Sequence, residues 1–175
     1  MSILKSIATA VPDHRISQAE VLAVLAKARG AALPARLEQI LGNSGIDQRY
    51  LACEADYYLE PRSWTGRAAI YDQVGTRLAH KAAGDALDRA ALAPSDIDAI
   101  VMISTTGTMT PSIPSRMIEA MGFKPSTQTI PVFGYGCAGS VLGLRLANDL
   151  ADAGEGQNVL MISLELCSLS YDYSQ

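Results

Sequence analysis

A run of five apolar residues, Ala99-Ile100-Val101-Met102-Ile103, constrains the fold of this chain more than any other feature. It does not alternate with polar residues, so as a strand it has to be covered on both faces, the condition of a strand inside a parallel sheet flanked by helices. A second buried strand reads from Val159 to Leu164 and a shorter one from Ile130 to Phe133. Helical patterns separate these runs. From Tyr71 to Leu92 the residues Val74, Leu78, Ala82, Ala86, Leu87 and Ala90 recur at helical spacing, while Arg77, His80, Lys81, Asp85 and Asp88 share the other face. Pro94 stops that helix, and a further helix is expected at about Pro114 to Met121. Strand and helix alternate, so an α/β fold follows, with a mostly parallel mixed sheet, right-handed crossovers and helices on both faces.

The N-terminal part is read as a strand from Ile3 to Ala10. A helix then runs from Ser17 to about Arg29, with Ser17 and Glu20 forming a capping box. A short helix from about Pro34 to Leu41 ends at Gly42, and a loop-rich stretch follows from Gly45 to Trp64.

Composition narrows the function classes. With 175 residues and 49% apolar content, the chain can build a real core. Its net charge of −4 is small and its Lys and Arg residues are scattered, which disfavours nucleic acid or an anionic membrane surface as the main partner. No stretch approaches the length of a bilayer span, and the first residues lack a basic segment followed by a long apolar one, so a cytoplasmic protein is expected. Three cysteines without framework spacing fit reduced thiols, and two histidines are too few to complete a metal cluster.

The chemistry concentrates in one turn. Gly134-Tyr135-Gly136-Cys137-Ala138-Gly139-Ser140 lies between the strand ending at Phe133 and a helical pattern from Val141 to Ala153. This puts a thiol at a helix N-terminus, where unpaired N–H groups and the helix dipole favour the thiolate that a cysteine nucleophile needs. Other readings compete. Gly134-x-Gly136-x-x-Gly139 satisfies a dinucleotide fingerprint in the right strand-to-helix context, but it comes late in the chain and Glu165 is further along than the usual ribose ligand. A cysteine hydrolase would need His80, which sits on the polar helix face between Arg77 and Lys81 and reads as a solvated surface histidine. The nucleophile elbow fails because Tyr135, not glycine, stands two residues before the cysteine. A plain buried cysteine is the commonest fate of any single Cys. The helix after the turn is apolar nearly all round, with Val141, Leu142, Leu144, Leu146, Ala147 and Leu150, which calls for burial on most sides and for a layer that this chain does not supply.

The segments 131–139, Gly143-Leu144-Arg145-Leu146-Ala147 and 159–169 resemble the chalcone synthase-like type III polyketide synthases of the thiolase superfamily. The resemblance extends upstream through Ser104-Thr105-Thr106-Gly107 with Pro111, residues 92–98, Arg49-Tyr50 and Trp64. It implies that residues 1–175 are an N-terminal thiolase-like domain with one buried central helix starting after Cys137, and that the C-terminal catalytic half, with the family's histidine and asparagine, is absent. It further implies that Cys137 is the acyl-carrying nucleophile, taking a starter from acyl-CoA and working with malonyl-CoA as second substrate, with no tightly bound cofactor. Thr105, Thr106, Cys167 and Ser170 would line the substrate cavity, although the two threonines could equally cap a turn and Cys167 could be a small core residue. Arg36 would contact coenzyme A, but Gln39 and Asn43 stand where further cations are expected. The loop from Gly107 to Pro111 would lie near the interface of a homodimer. The alternatives are a ketoacyl carrier-protein synthase of the third type, a dinucleotide-binding domain, and an inert oligomerisation half. On this reading the 175 residues by themselves would lack the condensing chemistry.

Overall fold

In a computed structural model of the chain, residues 1–154 and 156–171 are described. Contacts gather the chain into two units, one made of Met1–Ala10 with Asp72–Glu165, the other of residues 11–71 with 166–171.

The first unit is built around β3 (Ala99–Ser104), which pairs in parallel with β4 (Gln128–Phe133) on one side and β5 (Val159–Ser163) on the other. All six residues of β3 are buried, Ile100 and Val101 completely. Successive side chains of a strand point to opposite faces, so both faces of this strand are covered, as its unbroken apolar run requires. Asp98 joins the three strands at their amino ends. Its backbone carbonyl accepts from the Gln128 N–H at 2.9 Å, its backbone N–H donates to the Asn158 carbonyl at 2.9 Å, and its carboxylate accepts from the Asn158 N–H at 2.9 Å and Lys124 Nζ at 2.8 Å. The Lys124 hydrogen bond and the Asn158 N–H hold the Asp98 carboxyl below its usual range.

Three helices of this unit join the sheet: α4 (Thr76–Ala90), α5 (Ile113–Met121) and α6 (Gly139–Asp152). Before α4 the chain is already helical in α3 (Trp64–Ile70), followed by a π turn at Tyr71–Gly75. The buried stripe runs through Tyr71, Val74, Leu78, Ala79, Ala83 and Leu87. Ala82, Ala86 and Ala90, expected in this stripe, are only half-buried. The helix ends earlier than its apolar pattern suggests, because Ala91 takes a left-handed conformation (φ 53°) and the Leu92 N–H donates to the Leu87 carbonyl.

The second unit holds a capped helix and a strand pair. Ser17 and Glu20 form the expected capping box at the start of α1 (Gln18–Arg29), and Gly30 ends it with φ 65°. The short helix α2 (Ala35–Gly42) follows. Residues 45–64 are less irregular than their sequence suggests. Gln48–Leu51 form β2, antiparallel to β1 (His14–Ser17), and Ala55–Leu59 form a 3-10 turn.

Two further expectations are corrected. No strand forms at Ile3–Ala10. The segment is tied by side-chain hydrogen bonds, from Ser6 Oγ to the Ala86 carbonyl, from Arg89 to the Ile7 carbonyl and from Lys5 Nζ to Asn158 Oδ1, while Ile3, Leu4 and Ile7 stay exposed. The sheet of the first unit is also wholly parallel, because the antiparallel pair forms a separate sheet in the other unit.

Candidate active site

The carboxyl ends of the three parallel strands carry the loops where an α/β sheet places ligands. The chain leaves β4 through Gly134 (φ 90°), Tyr135 and Gly136 (φ 53°), so two residues of the turn adopt a backbone that side chains disfavour. Gly136–Ala138 then form a 3-10 turn and α6 begins at Gly139. Cys137 therefore stands at the mouth of a 14-residue helix, exposed to solvent. The thiol thus lies beside the face of α6 that the described chain leaves uncovered.

The third glycine of the turn has a packing reason. A Cβ on Gly139 would come within 2.5 Å of Ile103 Cγ2, and one on Gly143 within 2.7 Å of Ile103 Cγ1 and 2.6 Å of Met161 Cε. The two glycines let α6 press its backbone against β3 and β5. The same contact limits how much of the helix is buried. Only Gly139 and Gly143 are fully covered, while Val141 and Leu144 remain 71% and 56% exposed. The central helix expected to be buried is thus covered along one side only, since the described chain has no layer over its other side.

Thr105 and Thr106 follow β3, and Thr105 meets the cysteine turn. The Gly136 N–H donates to Thr105 Oγ1 at 3.0 Å. Both threonines are held by Glu165, whose carboxylate accepts from the Thr105 N–H at 2.9 Å, the Thr106 N–H at 2.9 Å and the Thr106 hydroxyl at 2.7 Å. Ser140, in the first turn of α6, shares a 2.7 Å hydrogen bond with Ser163 at the end of β5. Glu165 enters the sequence reading as a rejected ribose ligand and within the resembling segment 159–169, and its hold on the two threonines is missed. The available signal is an acidic residue just past the carboxyl end of a buried parallel strand.

Cys167, Ser170 and Arg36 belong to the other unit. Cys167 and Ser170 are exposed at the two ends of a 3-10 turn, and Cys167 is therefore not a core residue in this structure. Between them, Ser168 Oγ accepts from the Ala52 N–H at 3.1 Å and from the Tyr58 hydroxyl at 2.9 Å, and Leu169 is buried. Arg36 is exposed in the first turn of α2. The remaining thiol, Cys53, is half-buried, and burial raises its pKa above the ordinary thiol value.

His80 is not the solvated histidine that its position between Arg77 and Lys81 suggests. It is half-buried, its Nε2 is buried without a hydrogen-bond partner, and burial followed by the Arg116 charge lowers its pKa. Arg116 in turn pairs with Asp72 and donates to Thr76 Oγ1 at 3.2 Å. Among the described residues no cluster of His, Cys, Asp and Glu could hold a metal ion, and no helix is long and apolar enough to cross a membrane.

Comparison with known proteins brings these features together. The N-terminal domain of chalcone and stilbene synthases matches residues 1–173. A 1,3,6,8-tetrahydroxynaphthalene synthase of Streptomyces griseus is 34% identical over 173 residues, 98% of this chain and 46% of the relative. A phloroglucinol synthase of Pseudomonas fluorescens is 29% identical over 162 residues, 91% of this chain and 46% of the relative. The crystal structure of the tetrahydroxynaphthalene synthase of Streptomyces coelicolor A3(2), a bacterial type III polyketide synthase, superposes with a TM-score of 0.87 at 28% identity, covering 97% of this chain and 50% of that one. The chain spans about half the length of the curated relatives it matches. With its thiolase-like parallel sheet and its cysteine at the start of α6, it belongs to the chalcone and stilbene synthase family, as the N-terminal domain of that family.

Proposed function

We propose that this chain supplies the acyl-carrying cysteine of a type III polyketide synthase. The observation that carries the reading is the exposed Cys137 at the mouth of α6, in a glycine turn at the carboxyl edge of a parallel sheet. The Cys137 thiolate attacks the carbonyl carbon of an acyl-CoA, a C–S bond forms, and the tetrahedral adduct collapses by expelling coenzyme A as its thiolate. Malonyl-CoA then loses carbon dioxide, and the resulting enolate attacks the enzyme thioester, releasing the cysteine and leaving the extended chain on coenzyme A. Covalent capture divides one hard acyl transfer into easier steps.

On this reading Thr105, Thr106, Cys167 and Ser170 border the growing chain, Arg36 meets the coenzyme A phosphates, and the working form is a homodimer. The histidine and asparagine that the family uses for activation and enolate stabilisation come from outside these residues. No tightly bound cofactor is needed, since both substrates carry their own activation as thioesters. The names of the relatives, a tetrahydroxynaphthalene synthase and a phloroglucinol synthase, support an aromatic polyketide as the product class.

The test measures free coenzyme A chromatographically after incubation with a panel of acyl-CoA thioesters in the presence of the C-terminal half of a tetrahydroxynaphthalene synthase relative. About one equivalent should be released by the wild type in excess of Cys137→Ala. Equal release from both proteins would refute the assignment.

A further inference from the structure

We propose that Glu165 is the positioning residue of the cysteine turn, acting through the Thr105 hydroxyl. This rests on the reading of Cys137 as nucleophile. Glu165 follows β5, Thr105 follows β3 and Gly136 follows β4, so the chain of contacts crosses all three parallel strands at their carboxyl ends. Each link is a specific hydrogen bond. The Glu165 carboxylate accepts from both threonine N–H groups at 2.9 Å, one on each oxygen, and so orients the Thr105 backbone. It also accepts from the Thr106 hydroxyl at 2.7 Å, whereas the Thr105 hydroxyl faces the cysteine turn. That hydroxyl accepts the Gly136 N–H at 3.0 Å.

The residue so captured is the one that needs capture. Gly136 has φ 53° and immediately precedes Cys137. Glycine is the most freely moving residue in an unrestrained chain, so a turn containing Gly134 and Gly136 holds the thiol at the helix mouth only if something fixes it. The Gly139 backbone N–H closes the turn from the helix side by donating to the Gly136 carbonyl. Thr105 closes it from the sheet side. Glu165 is exposed, but a carboxylate accepting three donors in a forked arrangement is strongly oriented.

The experiment follows two readouts on the intact chain. The first is hydrogen exchange of the Gly136 amide. The second is alkylation of each thiol by iodoacetamide, resolved by peptide mass spectrometry, with the half-buried Cys53 as the reporter of general loosening. Losing one hydrogen bond corresponds to roughly a fivefold change, so Thr105→Val and Glu165→Gln should each speed Gly136 exchange and slow Cys137 alkylation by about that factor or more, with Cys53 unchanged. Thr105→Ser keeps the acceptor and should restore both rates to near wild type. The double variant Thr105→Val with Glu165→Gln should be no slower at Cys137 than the worse single variant, because the two act in series.

Cys137 rates within twofold of wild type in both single variants would overturn the proposal. So would a Thr105→Ser variant as slow as Thr105→Val, additive effects in the double variant, or a change at Cys137 matched by one at Cys53. None of these readouts uses acyl-CoA. Failure of the polyketide reading would appear as an absent acyl adduct with these rates intact, and failure of the positioning role as unchanged rates with the adduct still formed.

Discussion

Replacing Gly139 with alanine tests the contact that brings the cysteine-bearing helix onto the sheet. The new Cβ would sit 2.5 Å from Ile103 Cγ2, against the ~3.5–4.0 Å of a comfortable carbon contact. Ile103 has no easy escape. It is 1% exposed, β-branched and stiff at χ1, and lies in the central strand between β4 and β5. Relief therefore requires α6 or β3 to shift by about 1 Å, and overpacking of this kind costs about 1–3 kcal/mol. Alanine gains up to ~1 kcal/mol over glycine in a helix interior, and less at the first helical position, where Gly139 stands. The net expectation is a loss of about 1–2 kcal/mol. With a urea slope of about 2 kcal/mol/M, the unfolding midpoint should fall by about 0.5–1 M. Gly84 supplies the control. It lies inside α4, and a methyl group there would meet nothing within 4 Å, so Gly84→Ala should gain about 0.5–1 kcal/mol. Circular dichroism during urea unfolding reads both. A Gly139→Ala protein as stable as wild type, beside a stabilised Gly84→Ala, would refute the close-packing argument.

Two further outcomes follow from the same structure. Ala91 ends α4 at φ 53°, a conformation that costs an L-residue ~1–2 kcal/mol, so Ala91→Gly should raise thermal stability by about 1 kcal/mol after glycine's entropy is counted, and an unchanged melting temperature would contradict the cap geometry. His80 titrates below its ordinary value in the folded chain because burial, then Arg116, disfavours the charged ring. The unfolded chain then binds more protons near the ordinary imidazole pKa of ~6.5, so stability is complete above that pH and falls as pH drops through it toward the folded value. The slope between about pH 7 and pH 5 should be shallower in His80→Phe, measured by urea unfolding at several pH values; an identical slope would remove His80 from the account.

Much of the parallel unit is legible in the sequence because one-dimensional signals carry it. The unbroken run at Ala99–Ile103 demands cover on both faces, and a glycine turn between strand and helix puts Cys137 at a helix start; in the other unit, Ser17 and Glu20 spell a capping box. What is not legible depends on partners far away in the chain. Ile3–Ala10 alternates like a strand, but a strand exists only with a ladder partner, and the segment is tied by Ala86, Arg89 and Asn158 instead. Gln48–Leu51 is four residues with no strong pattern, and its pairing with His14–Ser17 makes it a strand. His80 looks solvated because its chain neighbours are charged, whereas its burial is set by the edge of the stripe that contains Ala79 and Ala83. Glu165 gives the weakest signal of all, since its role lies in three donors about 60 residues away.

The most direct test of the central claim is intact mass after incubation with acyl-CoA thioesters, comparing wild type with Cys137→Ala, both alone and in the presence of the C-terminal half of a tetrahydroxynaphthalene synthase relative. A single acyl adduct that is lost in Cys137→Ala is the predicted result, and its appearance only with the added half would place the activating groups there. No adduct in either setting, or an adduct that persists in Cys137→Ala, would contradict the assignment of Cys137 as the acyl carrier.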